Sequence, residues 1–236
     1  GVLLFFGLAL LITFFLVFIY SKSIKLTVFP ILCSLVSVVW QLGLLNAVGF
    51  GLDPMAILVP FLIFAIGVSH GMQMINAMGN EVLNGLTPFD AAKASFRRLL
   101  IPGGVALISD TVGFLTLLQI KIGMIQELSI NASLGVAVII LTNLILLPVL
   151  LSYLEFDESF VEKRKTSEKI QDKLWGRIAK LTNPKVGIWA IIVVAILFAS
   201  GYWHGRDMKI GDLHAGAPAL HDDSRYNLDT KLITER

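Results

Sequence analysis

Six apolar blocks, at about residues 2–20, 27–47, 55–79, 99–120, 128–154 and 186–203, constrain this chain more than any other feature of it. Each is close to or above the roughly 20 residues of helix that a bilayer's hydrocarbon core requires. In lipid every backbone polar group has to be satisfied inside its own segment, which leaves helices or a closed barrel. Blocks of this length choose helices. The expected fold class is all-α and polytopic: a transmembrane helix bundle of six spans, followed by the start of an outer domain. Composition agrees, with 15% charged residues where a soluble domain carries about 25%. A net charge of +2 gives no grip on nucleic acid, so no such partner is expected. The lone cysteine, Cys33, lies within an apolar block. It excludes an internal disulfide and a cysteine metal site, and reads as a small core residue.

The blocks divide the chain into four parts. Residues 1–154 form a five-span bundle; 155–185 a connecting segment; 186–204 the sixth span; 205–236 the beginning of an outer, periplasmic domain. In the connecting segment Ile170, Leu174, Ile178 and Leu181 recur at helical spacing beside Trp175, among lysines and arginines. That pattern suits an amphipathic helix on the cytoplasmic membrane surface; the alternative is a solvated charged linker. The chain opens on Gly1 in an apolar run too long for a signal peptide and ends on a polar stretch, so it reads as a fragment of a larger protein. The fourth span is the weakest, because Pro102, Gly103 and Gly104 fall near its start. Membrane bundles tolerate such breaks where neighbours satisfy the freed groups.

Lys and Arg set the orientation. Alternate connections carry Lys22 and Lys25, then Lys93, Arg97 and Arg98, then eight more between Lys163 and Lys185. The opposite short loops carry Lys121, with Asp53 and Glu127. The positive-inside rule makes the first set cytoplasmic and puts Gly1 and the C-terminal tail outside.

An ionisable side chain inside a span is costly and marks a candidate site. Two occur at depth, His70 in the third span and Asp110 in the fourth. Span ends near Ala77 and Leu99 put His70 about 7 residues (roughly 11 Å) and Asp110 about 11 residues (roughly 16 Å) from the cytoplasmic side. Consecutive antiparallel helices are usually neighbours, so a His–Asp pair, direct or bridged by water, is expected. A coupled pair of this kind can exchange protons near neutral pH. Ser69, Gln73 and Asn76 extend a polar stripe from it, and Ser109 and Thr111 flank the aspartate. The structural alternative is a static hydrogen-bonded pair that fixes helix packing. A metal needs more ligands than these two, since His204, His214 and His221 lie at or beyond the outer end. A hydrolase needs a nucleophile, and Ser69 and Ser109 point to other helix faces than their neighbours. No enzyme activity and no cofactor is expected; protons are the coupling ion. Gly67 and Gly71 make a small-xxx-small pair suited to close helix approach. Gln41 and Asn46, with Thr142 and Asn143, read as interhelical hydrogen-bonding groups.

The stretches AIGVSHGMQMINAM, AAKASFRRLLIPGGVALISDTVGFLTLL and LGVAVIILTNLILLPVLLSYL together resemble the resistance–nodulation–division superfamily, closest to its MMPL-like and sterol-sensing-domain-like exporters. The resemblance covers about residues 1–204 and corresponds to the second through seventh of that family's twelve spans. It implies an RND-type bundle in a bacterial inner membrane, in which proton-motive force drives export or periplasmic transfer of a hydrophobic or amphipathic compound such as a lipid or drug. The implied partners are membrane lipids, lipophilic cargo, the second half of the same chain and, in some members, further copies. One departure stands out. The family commonly reads Gly-Val-Asp-Tyr where this chain reads Gly67-Val68-Ser69-His70. The implied proton carrier is therefore displaced to His70 and Asp110. The competing readings are a lipid-sensing or lipid-binding module without proton flux, and a protein-secretion motor.

Overall fold

The computed structural model describes residues 2–53, 55–156, 162, 164–166, 175–176, 178–179, 183–208, 216–217, 220–221 and 223–234. Among these the only regular structure is helical. Helix α1 is Val2–Ser21, α2 Ile24–Ala47, α3 Val59–Leu83 and α4 Pro88–Thr116. The fifth span is composite: α5 is Gly123–Ile139, a π-helical segment covers Ile140–Leu146, and α6 is Leu147–Ser152. Helix α7 is Pro184–Gly205 and α8 is Arg225–Thr234. Among the described residues six helices are long and apolar enough to cross a membrane. The protein is an all-α polytopic membrane protein.

Helix ends explain why two spans run longer than hydropathy suggests. Helix α3 continues past Ala77 to Leu83, where Gly85 (φ 89°) takes the left-handed conformation that closes the helix. There the amide of Leu86 donates to Glu81 O at 3.2 Å and that of Gly85 to Val82 O at 3.0 Å, the Schellman pattern. Helix α4 starts at Pro88 rather than near Leu99, because Thr87 caps it. Thr87 Oγ1 accepts from the Asp90 amide at 3.2 Å and donates to the Asp90 carboxylate at 2.7 Å, with Pro88 in the first turn. With its final turn the helix runs 32 residues, about 48 Å, well beyond a hydrocarbon core of about 30 Å. Its charged first third therefore projects from the apolar layer. Pro102 sits inside it without ending it. Thr87→Ala should cost about 1 kcal/mol, visible as roughly fivefold faster amide exchange in the first turn of α4.

The chain forms two compact units, Gly1–Ser167 and Glu168–Arg236. In the first, α2, α3 and α5 form the centre, with α1 and α4 against them. Two apolar clusters fill it. One holds Ile63, Phe64, Leu107, Val136 and Ile139. The other, nearer the end where Lys22, Lys25, Lys93, Arg97 and Arg98 gather (the basic end), holds Leu26, Met74, Met78, Leu147 and Leu151. Cys33, fully buried, belongs to this second cluster, as a core residue should. In the second unit α7 exposes apolar side chains such as Ile191, Val194 and Phe198. In α8, Asn227 is buried and ties down the turn before the helix, its Oδ1 accepting from Ala217 N at 2.8 Å and its Nδ2 donating to His221 O at 3.0 Å. Of the connecting segment's apolar series, Ile170, Leu174 and Leu181 lie outside the described residues; Trp175 and Ile178 are exposed.

Candidate functional site

His70 is half-buried where α3 meets α4. Its neighbour there is Gly103, where a Cβ would stand 3.9 Å from His70 Nδ1. A Cβ there would only touch the imidazole at ordinary contact distance. Asp110 lies seven residues further along α4, about 10 Å in axial rise. That is two turns from the level of Gly103, where span-end counting gave one. Its side chain tilts back toward the helix N-terminus, and so toward His70. The carboxylate is close enough for its charge to act on the imidazole, yet no hydrogen bond or ion pair joins the two. Asp110 is exposed at the protein surface. A proton passing between the two side chains needs a bridging group.

The polar stripe is real, and it points outward. Ser69, Gln73 and Asn76 are all exposed and continue the exposed line of Leu62 and Ala65 along α3. Steps of three and four residues keep these on one face. Ser109 is exposed beside Asp110, whereas Thr111 is half-buried and donates from Oγ1 to Leu107 O at 2.8 Å. Polar side chains at membrane depth are stable against water or other protein, not against acyl chains. This face of α3 and α4 is therefore one that lipid alone does not cover.

At the basic end the stripe finishes in a polar cluster that the sequence did not announce. Arg164, from the connecting segment, donates from Nη2 to Asn76 O at 3.1 Å, Asn76 Oδ1 at 2.6 Å and Asn80 Oδ1 at 2.9 Å. Tyr20 of α1 donates to Asn76 Oδ1 at 3.2 Å. Gly79 is the seat of the guanidinium: a Cβ there would fall 2.6 Å from Arg164 Nε. Its place amid lysines disguised Arg164 as one more linker charge. Arg164→Gln removes charge-assisted bonds, worth about 1 kcal/mol at a partly exposed site. Amide exchange around Asn76–Asn80 should accelerate roughly fivefold, with the rest of α3 unchanged.

Gly67 and Gly71 are buried and form a notch in α3. A Cβ on Gly67 would stand 2.7 Å from Ser34 Oγ of α2 and 3.2 Å from Asn143 Nδ2. A Cβ on Gly71 would stand 2.6 Å from Pro30 Cβ and 3.2 Å from Asn143 Oδ1. The Asn143 amide thus rests where the two glycines leave space. Around it lies a buried polar belt. Ser37 Oγ and Thr142 Oγ1 are hydrogen-bonded at 2.5 Å, and Asn143 Nδ2 donates to Thr142 Oγ1 at 3.2 Å. Toward the other end Gln41 Nε2 donates to Asn131 Oδ1, and Asn131 Nδ2 to Ala56 O at 3.3 Å. Gln41, Thr142 and Asn143 are the interhelical groups that the sequence suggests, whereas Asn46 is exposed. Ser37 and Asn131 were not singled out by sequence; Asn131, an amide inside a span, was the available signal. The π-helical widening at Thr142 and Asn143 has a local cause. Pro148 has no N–H for the carbonyl of Leu144 and its ring crowds that turn, so the preceding residues widen their ladder. Such bulges are frequent at functional sites.

Fold and site together define a polytopic α-helical membrane protein with titratable and polar groups at bundle depth. The Patched SSD (sterol-sensing domain) family profile matches residues 2–154. The chain belongs to the Patched SSD family, within the broader resistance–nodulation–division and sterol-sensing group. A curated membrane protein of Methanocaldococcus jannaschii is 26% identical over 137 residues, 56% of this chain. The match covers 34% of that relative, so the chain spans about a third of its length.

Proposed function

We propose that this bundle is part of a transporter in which proton movement through the α3–α4 region drives export or transfer of a lipophilic compound, across a bacterial inner membrane with the basic end cytoplasmic. One observation carries the reading. His70 sits beside Gly103 where α3 meets α4, within reach of the charge of Asp110, and a surface of Ser69, Gln73, Asn76 and Ser109 lies beside them. A titratable pair at depth with hydratable neighbours is what a proton path requires. The exposed polar face also supports further spans of the intact protein packing there and supplying the bridging group that the separated pair lacks. The test is reconstitution of the intact protein in liposomes with a pH-sensitive dye inside and a fluorescent sterol analogue as cargo. An imposed pH gradient should drive release of the analogue to acceptor vesicles, with proton flux in step.

A second reading is favoured by the missing direct His70–Asp110 bond: a lipid-sensing module in which the two residues merely pack. It predicts sterol-analogue movement that is indifferent to the gradient, with no proton flux above that of empty liposomes.

A further inference from the structure

A groove of about 240 Å³ opens between the first third of α4 and the end of the fifth span. One wall carries Phe89, Lys93 and Phe96; the other carries Ile145, Pro148 and Val149. On the first wall the residues step by four and three, and on the second Pro148 and Val149 lie three and four residues beyond Ile145, so two helical faces look at each other across it. The walls are almost wholly apolar, and Lys93 is the one charged residue among the described residues lining them. Lys93 is exposed and has no ion pair or side-chain hydrogen bond among the described residues. Arg97, one turn on, is in the same condition, whereas Arg98 is engaged with Glu81 at 3.9 Å.

The depth of the groove decides what fills it. It lies where α4 passes from its charged first third into the apolar run that begins near Leu99. That is headgroup level, with acyl chains immediately beyond. A methylene chain laid against Phe96, Ile145 and Val149 brings a phosphate at its head to Lys93 and Arg97. A second cation in the headgroup is disfavoured there, because none of the described residues lining the groove is acidic. We infer that this groove binds one anionic phospholipid of the surrounding leaflet, its phosphate at Lys93 and Arg97 and one chain between α4 and the fifth span. This is a binding site apart from the His70–Asp110 region and stands whether or not protons drive transport.

Native mass spectrometry tests it, on intact protein taken from nanodiscs of mixed phosphatidylglycerol and phosphatidylcholine. A basic residue at a membrane surface favours anionic lipid by roughly fivefold. Wild-type protein should therefore retain phosphatidylglycerol over phosphatidylcholine by at least about that factor. Lys93→Gln should lose most of the preference and Lys93→Arg should keep it. Val149→Trp, at an exposed position on the wall, should lower retention of both lipids. Lys121→Gln, at the opposite end of the bundle, should behave as wild type. Equal retention of the two lipids by wild-type protein overturns the inference. So does a preference that survives Lys93→Gln, or one that Lys121→Gln removes equally. Should Lys93→Gln not fold, Val149→Trp decides: unchanged retention in that variant overturns the site.

Discussion

Asp110→Asn and His70→Ala are each expected to abolish gradient-driven movement of a sterol analogue in reconstituted intact protein, while leaving its yield and thermal unfolding unchanged. Asp110→Asn keeps the size and polarity of the side chain and removes only its capacity to take and release a proton. Since Asp110 is exposed and makes no hydrogen bond, its replacement breaks no packing. His70 is half-buried and makes no side-chain hydrogen bond to a described residue, so truncation to alanine leaves a gap rather than a broken network. Removing a positioned proton-transfer group typically costs about a hundredfold or more in rate, and that is the scale expected for proton flux here. Ser109→Ala, next to Asp110 on the same helix, should change flux little. Full gradient-driven flux in both His70→Ala and Asp110→Asn would remove these two residues from the proton path. A loss accompanied by an equal loss of folded protein would instead mark the pair as packing groups.

Gly71→Ala is expected to be among the most damaging small substitutions in the bundle. The added Cβ would stand 2.6 Å from Pro30 Cβ, and a proline ring has no rotamer by which to withdraw. On its other side it meets Asn143 Oδ1 at 3.2 Å and Leu147 at 3.4 Å. Helix α2 or the π-helical segment has to move, and overpacking of this kind costs about 1–3 kcal/mol. The midpoint of thermal unfolding in detergent should fall accordingly. Gly104→Ala supplies the contrast: a Cβ there meets nothing within 4 Å, and alanine restricts the unfolded chain more than glycine does. That variant should be neutral or slightly more stable. Equal midpoints for the two variants would mean that the α2–α3 contact is looser than described. The same notch explains why Asn143 can stay buried, since the glycines leave space for its amide while Thr142 takes one of its hydrogens.

The bundle itself was legible in the sequence because its cause is local. A run of apolar residues long enough to cross lipid can do so only as a helix, whatever its neighbours are. His70 and Asp110 stood out for the same reason, as charges whose cost depends on depth alone. Other features were half-visible. The α4 start at Pro88 follows from Thr87, Pro88 and Asp90, a capping signal that a hydropathy reading passes over in favour of the apolar run from Leu99. The α3 end follows from Gly85 in the same way.

What the sequence by itself determined is therefore how many spans there are, roughly where they cross, which end is basic, and which residues are out of place in lipid. Tertiary structure alone decided which of those residues meet. It set His70 beside Gly103 rather than against Asp110, turned Ser69, Gln73 and Asn76 to the surface, sealed Ser37, Thr142 and Asn143 inside, and brought Arg164 across to Asn76 and Asn80. The reason is rotational. A helix's depth in the membrane is fixed by its composition, but its rotation about its own axis is fixed by how side chains of neighbouring helices interlock, as Asn143 does with Gly67 and Gly71.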